Sequence, residues 1–366
     1  MNNLGKGFTK LAVLKEVVDE ASETQRIDNF LLKRLKGVPK SHVYKLLSSG
    51  QVRVNGKRIA ADYRLVLGDI VRIPPVKMAA DNASSAAQSA SKPYKSVTFD
   101  VLFEDEALLV INKPAGVAVH GGSGVSFGVI EQLRVQRPQA KFLELVHRLD
   151  RETSGVLMLA KKRAALVNLH QQIRDGKMEK RYLVLVQGQW KNARQSVRLT
   201  LNKYHTAEGE RRVAVIPSTA SPRAAEKEVS PASPPSLRSP RKRERVGERA
   251  VENSHNKTQE GISSHTIFTL QKSWQNFSLL EAELKTGRTH QIRVHLAHLG
   301  FPIAGDDKYG DFALNKALAR APKPARLERM FLHARLAVIT HPVTGETLRL
   351  EAPLAKDLQK FADTLD

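Results

Sequence analysis

The sequence predicts an α+β fold, in which a small unit of helices and a hairpin precedes a larger domain of strands and helices. Residues 24–76 combine two helix-period segments with a hairpin turn. Residues 97–366 contain seven strand-like apolar runs, several in hairpin-like succession, with helix-like stretches between them. Two polar stretches without periodicity, residues 77–96 and 217–257, interrupt this pattern. These observations together predict two domains.

The small unit follows an N-terminal extension, residues 1–23, that carries no interpretable pattern. The stretch "QRIDNFLLKRLKG" places four apolar residues on one helical face, namely Ile27, Phe30, Leu31 and Leu35. The stretch "KSHVYKLLSSG" predicts a second, shorter helix that ends at Gly50. "QVRVNGKRI" predicts a hairpin around Asn55-Gly56, because Asn-Gly is the strongest short-range hairpin signal.

The small unit is more basic per residue than the chain as a whole. Residues 24–75 contain 11 Lys and Arg against 3 Asp, a net charge of +8, and the 366 residues together have a net charge of +22. Such a surplus predicts a polyanionic partner, since each neutralised phosphate releases counterions. Nucleic acid is the first interpretation and an anionic membrane surface the second, while a solvated basic surface is the plain alternative for the small unit.

Composition also limits where in the cell the protein is expected and which kinds of chemistry it can perform. No apolar run approaches the ~20 residues of a membrane span, and the N-terminal stretch carries charge where a signal peptide is apolar. The chain has no cysteine, which excludes disulfides, thiolate metal sites and cysteine nucleophiles. We therefore expect a cytoplasmic protein with no membrane partner.

The larger domain is predicted from its apolar runs. The strand-like runs are VTFDVLF, LLVINKP, VLMLAKK, YLVLVQG, FSLLEAELK, RLAVIT and TLRLEAP. Helix-like stretches extend from Ile130 to Arg137 and from Arg163 to Arg174. Strands in hairpin-like succession with helices between them predict a mixed α+β domain.

Two segments are predicted to lie outside the folded units. Residues 77–96 are small and polar and predict a flexible linker. Six of the 17 prolines fall between Pro217 and Pro240, and the segment 217–257 has almost no large apolar residues. Because such a segment cannot bury enough surface to offset its ordering entropy, it predicts a disordered insertion within the larger domain.

One short motif suggests a serine hydrolase. Gly124–Gly128, in "HGGSGVSFG", matches the G-x-S-x-G pattern, and a His-Gly-Gly lies just upstream. A nucleophile elbow needs a strand before it, and here the two pieces are contiguous with no room for one. A glycine-rich turn or a loop that contacts phosphate is the better interpretation.

Three histidines, His290, His295 and His298, suggest a metal cluster. His295 and His298 share a helical face, but His290 lies off it, and the neighbouring arginines would repel a cation. Structural or RNA-contacting histidines are the preferred interpretation, so no metal is expected. The sequence also lacks a phosphate-binding loop and a dinucleotide fingerprint, so nucleotide hydrolysis and redox chemistry have no support.

The stretch "HRLDRETSGVLMLAKK" begins at His147 and places Asp150 between Arg148 and Arg151, just before an apolar run. Nearby guanidinium groups favour the charged form of a carboxylate. The residue types alone leave three interpretations of Asp150 open: a structural ion pair, a ligand clamp or a nucleophile.

Four motifs in a fixed order narrow these interpretations. "INKPAGVAVHGG", "HRLDRETSGVLMLAKK", "EKRYLVLVQG" and "KTGRTHQIRVHLAHLGFPIAGDDKYG" together resemble the RluA family of RNA pseudouridine synthases. "RIDNFL…VPKSHVYKLLSSGQVRVNGKRI" resembles the S4 RNA-binding domain. The resemblance covers the chain from about residue 24 to the C-terminus, except the 217–257 insertion, which departs from the pattern, and the first 23 residues are uninformative. The resemblance implies an S4-type, αL-like domain plus a catalytic domain with a long mixed, largely antiparallel sheet flanked by helices.

The resemblance also implies a reaction. These enzymes break the N-glycosidic bond of a uridine, turn the uracil and rejoin it through C5, without a cofactor. The essential aspartate of the family corresponds to Asp150, which would either attack the nucleoside or remove a proton from the sugar. Arg288 would pair with Asp150. Tyr182 would stack on the uracil and assist proton removal at C5, and Arg148 would fill the space left by the extruded base.

The implied partner is RNA: 23S ribosomal RNA or an assembling large ribosomal subunit, modified at more than one uridine by a monomeric enzyme. Further RNA contacts are expected from basic and polar residues of the small unit and from one histidine of the larger domain. They are Arg26, Lys40, Ser41, Lys45, Arg53, Lys57, Arg58 and His120.

Each role has a plain structural alternative. Asp150 could belong to an ion pair in a turn, Tyr182 could be a core residue of its strand, and the two arginines could hold RNA phosphates. A non-catalytic RNA-binding or ribosome-assembly factor would use the same basic surface without an intact Asp150. An RNA 5-methyluridine transferase normally uses a cysteine, which this chain lacks.

Overall fold

The computed structural model describes residues 13–35, 37–76, 97–121, 127–206, 210–216 and 261–366. The predicted linker at 77–96 and the predicted insertion at 217–257 lie outside the described residues, as does Ser126 of the G-x-S-x-G pattern. The described residues form two folded units, one before and one after the segment 77–96.

The small unit consists of two helices and a three-stranded sheet. The helices are α1 (Ile27–Arg34) and α2 (Lys40–Ser48), and the strands are β1 (Leu14–Val17), β2 (Arg53–Val54) and β3 (Ile70–Ile73). The strands lie in the order β1-β3-β2 with antiparallel pairing. The four apolar residues predicted to share a helical face are all buried in one core with α2 and the sheet, which confirms the predicted amphipathic helix.

The N-terminal extension, expected over residues 1–23, contributes a strand to this unit. β1 pairs with β3, from Leu14 opposite Ile73 to Val17 opposite Ile70. β1 is an edge strand and most of its side chains are exposed, so it lacks the apolar alternation by which a strand is predicted from sequence. The small unit therefore begins earlier than the predicted boundary at residue 24.

The predicted hairpin is present only as a turn. Asn55 and Gly56 have φ angles of 49° and 77°, the left-handed conformation that such a turn requires. The returning chain makes a single bridge between Val54 and Lys57, and β2 pairs with β3 instead. The turn residues therefore define the bend, whereas the strand partner comes from farther along the chain.

The larger unit is built on one sheet of eleven strands. The strands are β4 (Asp100–Glu104), β5 (Leu108–Lys113), β6 (Glu144–Leu145), β7 (Ser154–Ala160), β8 (Glu179–Gln187), β9 (Arg194–His205), β10 (Arg211–Ile216), β11 (Ile262–Ser273), β12 (Phe277–Leu284), β13 (Leu332–Thr340) and β14 (Thr347–Glu351). The helices are α3 (Val129–Gln136), α4 (Arg163–Arg174), α5 (Gln291–His298), α6 (Phe312–Arg320) and α7 (Lys356–Ala362).

The strand order confirms the predicted fold class. The order is β10-β9-β11-β12-β8-β13-β7-β5-β4, with β14 beside β13 and β6 beside β7. Every pairing is antiparallel except the one between β13 and β7, so the sheet is mixed and largely antiparallel. The seven predicted runs and both predicted helices fall on observed elements, whereas β6, β9, β10 and β11 are not among the predicted strands.

The strands that flank the predicted insertion belong to the same sheet. β10 ends at Ile216 and β11 begins at Ile262, and both strands pair with β9. In sequence, residues 217–257 therefore lie between two strands of the larger unit. None of the described helices is long and apolar enough to span a membrane.

Strand β7 anchors the loop that contains Asp150. All seven of its residues are buried, and alternate side chains enter two different cores: Leu157 and Leu159 one, Val156 and Met158 the other. Gly155 has a φ of 110°, and a Cβ atom there would lie 2.2 Å from the Ala334 carbonyl oxygen of β13. Glycine is therefore required where β7 meets β13.

Candidate active site

Asp150 lies in the loop between β6 and β7 and lines a cleft of about 1320 Å³. The other walls come from β8, β9, β10 and the turn before α5. The Asp150 carbonyl accepts a hydrogen bond from the Thr153 N–H at 3.1 Å, which closes a turn. The Asp150 side chain is 29% exposed, so the carboxylate remains accessible from the cleft.

The Asp150 carboxylate forms an ion pair with Arg293, the third residue of α5. Arg293 Nη1 donates to Asp150 Oδ2 at 3.3 Å. His290 also faces this oxygen, with Nε2 at 3.9 Å. The other carboxylate oxygen, Oδ1, accepts no hydrogen bond from any described residue. Arg293 and His290 therefore face the same oxygen of Asp150, and Arg293 alone donates a hydrogen bond to it.

The predicted partner of Asp150, Arg288, does not form this ion pair. Arg288 is exposed, its Nε donates to the Ser263 carbonyl at 3.2 Å, and its backbone N–H donates to Gln291 at 3.0 Å. The predicted pairing was wrong because the motif contains two arginines, and α5 turns only the second one, Arg293, towards Asp150. Arg288 does line the cleft, so a direct part in the reaction stays a prediction for it.

The buried carboxylate of Asp306 holds the guanidinium of Arg293 in place. Arg293 Nε and Nη2 donate to the two oxygens of Asp306 at 2.8 and 2.6 Å, and Nη2 also donates to Asp307 at 3.1 Å. Burial disfavours the charge, but the hydrogen bonds and charge of Asp306 outweigh it and raise the pKa of Arg293. A sequence signal existed for this pairing, since an arginine within the apolar stretch "QIRVHLAHLGF" must be paired if it is buried.

Tyr182 lies at the buried side of the cleft, on the central strand β8. It pairs with Ala282 of β12 and Ala334 of β13 and is 7% exposed. Burial, with a smaller effect of the Asp150 charge, raises the pKa of the Tyr182 phenol. The neutral phenol is therefore favoured. This suits a stacking surface better than an ionised base, and both predicted roles stay predictions.

A buried lysine joins the Asp150 loop to the loop after β5. Lys113 Nζ donates to the carbonyls of Pro114, Val117 and Arg151 at 2.8, 2.8 and 3.1 Å. Burial lowers the pKa of Lys113 to about 7, while the three carbonyls favour the ammonium form. Arg151, which has no predicted role, adds a hydrogen bond from Nε to Gly116 O at 3.0 Å. The two loops are thereby held together beneath Asp150.

The lining of the cleft is strongly basic. It contains ten Lys and Arg, namely Arg148, Arg151, Arg174, Lys180, Lys203, Arg211, Arg212, Lys285, Arg288 and Arg293. Among the described lining residues Asp150 is the one carboxylate. Low-dielectric walls lined by one sign of charge concentrate a polyanion in such a cleft. Its geometry therefore suits a carboxylate acting on a bound polyanion.

Comparison with known families agrees with this geometry. The sequence profile described as RNA pseudouridylate synthase matches residues 107–298, more than half of the chain, and the S4 domain profile matches residues 25–71. The chain belongs to the RNA pseudouridylate synthase family.

Curated members of the family match the chain over almost its whole length. "Ribosomal large subunit pseudouridine synthase C" of Pasteurella multocida is 43% identical over 354 residues, which is 97% of this chain and 94% of the relative. The protein of that name from Escherichia coli strain K12 is 45% identical over 347 residues, which is 95% of this chain and 94% of the relative. These matches confirm the predicted family and enzyme class.

Two solved structures support the fold. "Human RNA Pseudouridylate Synthase Domain Containing 1" has a TM-score of 0.50 at 20% identity, covering 75% of this chain and 97% of its own. "Human RNA Pseudouridylate Synthase Domain Containing 4" has a TM-score of 0.51 at 22% identity, covering 77% of this chain and 97% of its own. At this identity the likeness shows the architecture alone.

The RNA contacts predicted for the larger unit lie at the cleft. Arg148 is exposed and lines it, two residues before Asp150. His120 also lines it, with Nδ1 2.8 Å from the Gly121 carbonyl oxygen. Both side chains are therefore placed where an RNA strand in the cleft would pass, and their contacts with RNA stay predictions.

The contacts predicted for the small unit do not line the cleft. Lys40, Ser41, Lys45, Arg53, Lys57 and Arg58 are all exposed. Arg53 and Arg58 are partly engaged, since they donate to the carbonyls of Gly50 and Ser48. Arg26 forms an ion pair with Asp28 at 2.7 Å, which reduces the charge it offers to a phosphate. The lysines are therefore the more available cations of this unit.

The three histidines weighed as a metal cluster have separate environments. His290 faces Asp150, whereas His295 is fully buried and its Nε2 lies 2.7 Å from Ser264 Oγ. His298 is exposed at the end of α5. Within the described part of the chain, no group of three or more His, Cys, Asp or Glu side chains is arranged to hold a metal ion.

Proposed function

We propose that the chain isomerises specific uridines of 23S ribosomal RNA to pseudouridine, with Asp150 as the essential carboxylate and without a cofactor. The observation that carries this proposal is the single carboxylate of a basic cleft. Asp150 is paired with the buried Arg293 and is surrounded by cationic side chains. A basic cleft concentrates anionic ligands, so a nucleophile or base held in it is placed to act on a polyanion.

The geometry leaves one oxygen of the carboxylate free to react. Arg293 and His290 face Oδ2 of Asp150, which leaves Oδ1 to attack the nucleoside or to remove a proton from its sugar. Breaking the glycosidic bond leaves negative charge on the uracil, which a cationic lining stabilises. The C–N bond is replaced by a C–C bond to C5 and the C5 proton is replaced by one at N1, so no co-reactant is needed.

The substrate is proposed from charge and from relatives. The relatives described above are named for the ribosomal large subunit, and the S4 unit and the cleft are both basic. The target uridine would leave its stack and enter the cleft, where Tyr182 would stack on the uracil and Arg148 would occupy the vacated space. We further propose a cytoplasmic monomer that modifies more than one uridine, in naked RNA or in an assembling subunit.

Tritium release tests the proposal directly. Ribosomal 23S RNA labelled with [5-³H]uridine loses tritium only when the C5 hydrogen leaves. We expect release by the wild type and none by Asp150→Asn. Asp363→Asn is the matched control, since Asp363 is exposed at the end of α7, and it should keep the wild-type rate.

Two outcomes would overturn the proposal. A wild type that binds the RNA without releasing tritium would favour the non-catalytic RNA-binding alternative. Undiminished release by Asp150→Asn would show that another group performs the reaction.

A further inference from the structure

His290 has an unusual backbone conformation next to Asp150. It directly precedes α5 and has φ 52° and ψ 21°, in the left-handed region. Such a conformation is uncommon for a residue other than glycine and costs of order 1–3 kcal/mol. The side chain is only 13% exposed and points its Nε2 towards Oδ2 of Asp150. A strained residue aimed at a reactive carboxylate calls for a functional reason.

The phenol oxygen of Tyr309 lies within hydrogen-bond distance of one ring nitrogen of His290, Nδ1. The Tyr309 oxygen accepts a hydrogen bond from the Val213 N–H at 2.9 Å and lies 2.9 Å from His290 Nδ1. Val213 and His290 are the described hydrogen-bond partners of this oxygen, so the phenol is placed to donate its hydrogen to Nδ1. A neutral imidazole with an occupied Nδ1 acceptor carries its hydrogen on Nε2, the nitrogen that faces Asp150.

The surroundings favour the neutral ring. Burial lowers the pKa of His290 and the charges of Arg293 and Lys308 lower it further, which together outweigh the opposing charges of Asp150 and Asp306. A neutral N–H donor orients a carboxylate without offering it an acidic proton. At 3.9 Å the contact is longer than a hydrogen bond, and such contacts commonly tighten when the substrate is bound.

We propose that His290 is a positioning residue for Asp150, with Tyr309 fixing it as the Nε2–H tautomer. Together with Arg293 it holds Oδ2, so that Oδ1 is presented to the nucleotide. This inference rests on the proposed function and adds to it a second group that fixes the orientation of the carboxylate. Tyr309 acts through His290 and does not need to touch the RNA.

Two substitutions of His290 separate this role from a purely structural one. Gln places an amide N–H close to the position of Nε2, whereas Asn does not reach it but tolerates the left-handed backbone better. A donor role therefore predicts that His290→Gln keeps most of the single-turnover rate at saturating RNA. His290→Asn should lose about 10- to 100-fold, with an unchanged Kd for RNA.

If His290 mattered only for its left-handed backbone, His290→Asn would keep a higher single-turnover rate than His290→Gln. His298→Asn, on the exposed end of α5, is the matched control and should keep the wild-type rate. If the wild type forms pseudouridine but His290→Asn reacts as fast as His290→Gln or faster, the inference about His290 is wrong and the proposed function is unaffected. A wild type that forms no pseudouridine overturns the proposed function and the inference with it.

A spectroscopic measurement on the resting protein tests the tautomer independently of activity. In protein labelled with ¹⁵N-histidine, His290 should show a protonated Nε2 and an unprotonated Nδ1 at neutral pH. Tyr309→Phe should remove the donor to Nδ1 and shift the ring towards a mixture of tautomers. A protonated Nδ1 in the wild type, as the other tautomer or as imidazolium, overturns the inference.

Discussion

The two folded units carry their positive charge in different ways. In the small unit, Lys40, Lys45 and Lys57 are exposed, and their ammonium groups have no hydrogen-bond partner among the described residues. In the cleft, Arg293 is 4% exposed and is shared between Asp306 and Asp150. Exposed charges are screened by salt, whereas buried pairs are screened much less.

This difference separates affinity from chemistry. A mobile exposed cation binds any phosphate and fixes no particular atom. A buried guanidinium held by a second carboxylate fixes the position of the group it pairs with. We therefore expect substitutions in the small unit to change the binding of RNA, and substitutions around Asp150 to change the rate of reaction.

The largest effect is expected from Asp150→Asn. The amide can neither attack the sugar nor accept its proton, so the single-turnover rate should fall by at least about 10⁴-fold. The Kd for RNA should change little, because the cleft keeps its cationic side chains. Filter binding and product formation on the same RNA measure both quantities. A Kd that weakens in parallel with the rate would break the separation.

Replacing Arg293 and replacing Arg288 should lower the stability of the protein by very different amounts. Arg293→Ala leaves the fully buried Asp306 unpaired, and we expect the free energy of unfolding to fall by about 3–5 kcal/mol. Arg288→Ala removes an exposed side chain and should change it by about 0.5 kcal/mol or less. Denaturant unfolding of both variants measures this, and equal losses would contradict the assigned pairing.

Mild acid should destabilise the larger unit before the small one. Burial lowers the pKa of His295 and His333 to about 4, so between pH 6.5 and 4 the unfolded chain binds protons that the folded chain does not. Stability is therefore lost as the pH falls below 6.5, by about 2 kcal/mol for each histidine at pH 5.

Hydrogen exchange at pH 7 and pH 5, corrected for intrinsic rates, locates this loss. Protection should fall in β13, which contains His333, and stay constant in α1 of the small unit. The only histidine in the described part of the small unit is His42, which is exposed. Equal losses of protection in both units would contradict the prediction.

The smallest effect concerns the lysines of the small unit. Replacing Lys40, Lys45 and Lys57 together by Ala should weaken RNA binding and lower the slope of log K against log salt by about 1 per lost phosphate contact. The rate at saturating RNA should not change. The matched control replaces three exposed lysines outside the cleft, Lys316, Lys323 and Lys360, and an equal effect of both triple variants would count against a specific RNA surface.

Much of the fold could be predicted because periodicity survives in buried elements. β7 is buried on both faces and appears in the sequence as a continuous apolar run. The edge strand β1 is mostly exposed, and β9 alternates a few buried residues with many polar ones. These strands owe their position to pairing with distant partners, which local pattern does not encode.

The candidate site likewise contains residues that the sequence predicted and contacts that only tertiary packing creates. The family resemblance implied that Asp150, Tyr182 and Arg288 act in one reaction, and the structure brings all three to the lining of one cleft. The ion pair between Arg293 and Asp150 depends on which way α5 faces. The contact between His290 and Tyr309 depends on how the chain after α5 returns. Both are properties of tertiary packing, so sequence spacing alone could not decide between the two arginines.

Asp150 is proposed to carry the conversion of uridines of 23S ribosomal RNA to pseudouridine. Mapping pseudouridines in ribosomal RNA from cells without this gene, complemented by the wild type or by Asp150→Asn, tests it most directly. We predict that specific 23S sites are lost with the gene, return with the wild type and stay unmodified with Asp150→Asn. An unchanged map in the deletion strain, or full restoration by Asp150→Asn, would contradict the account.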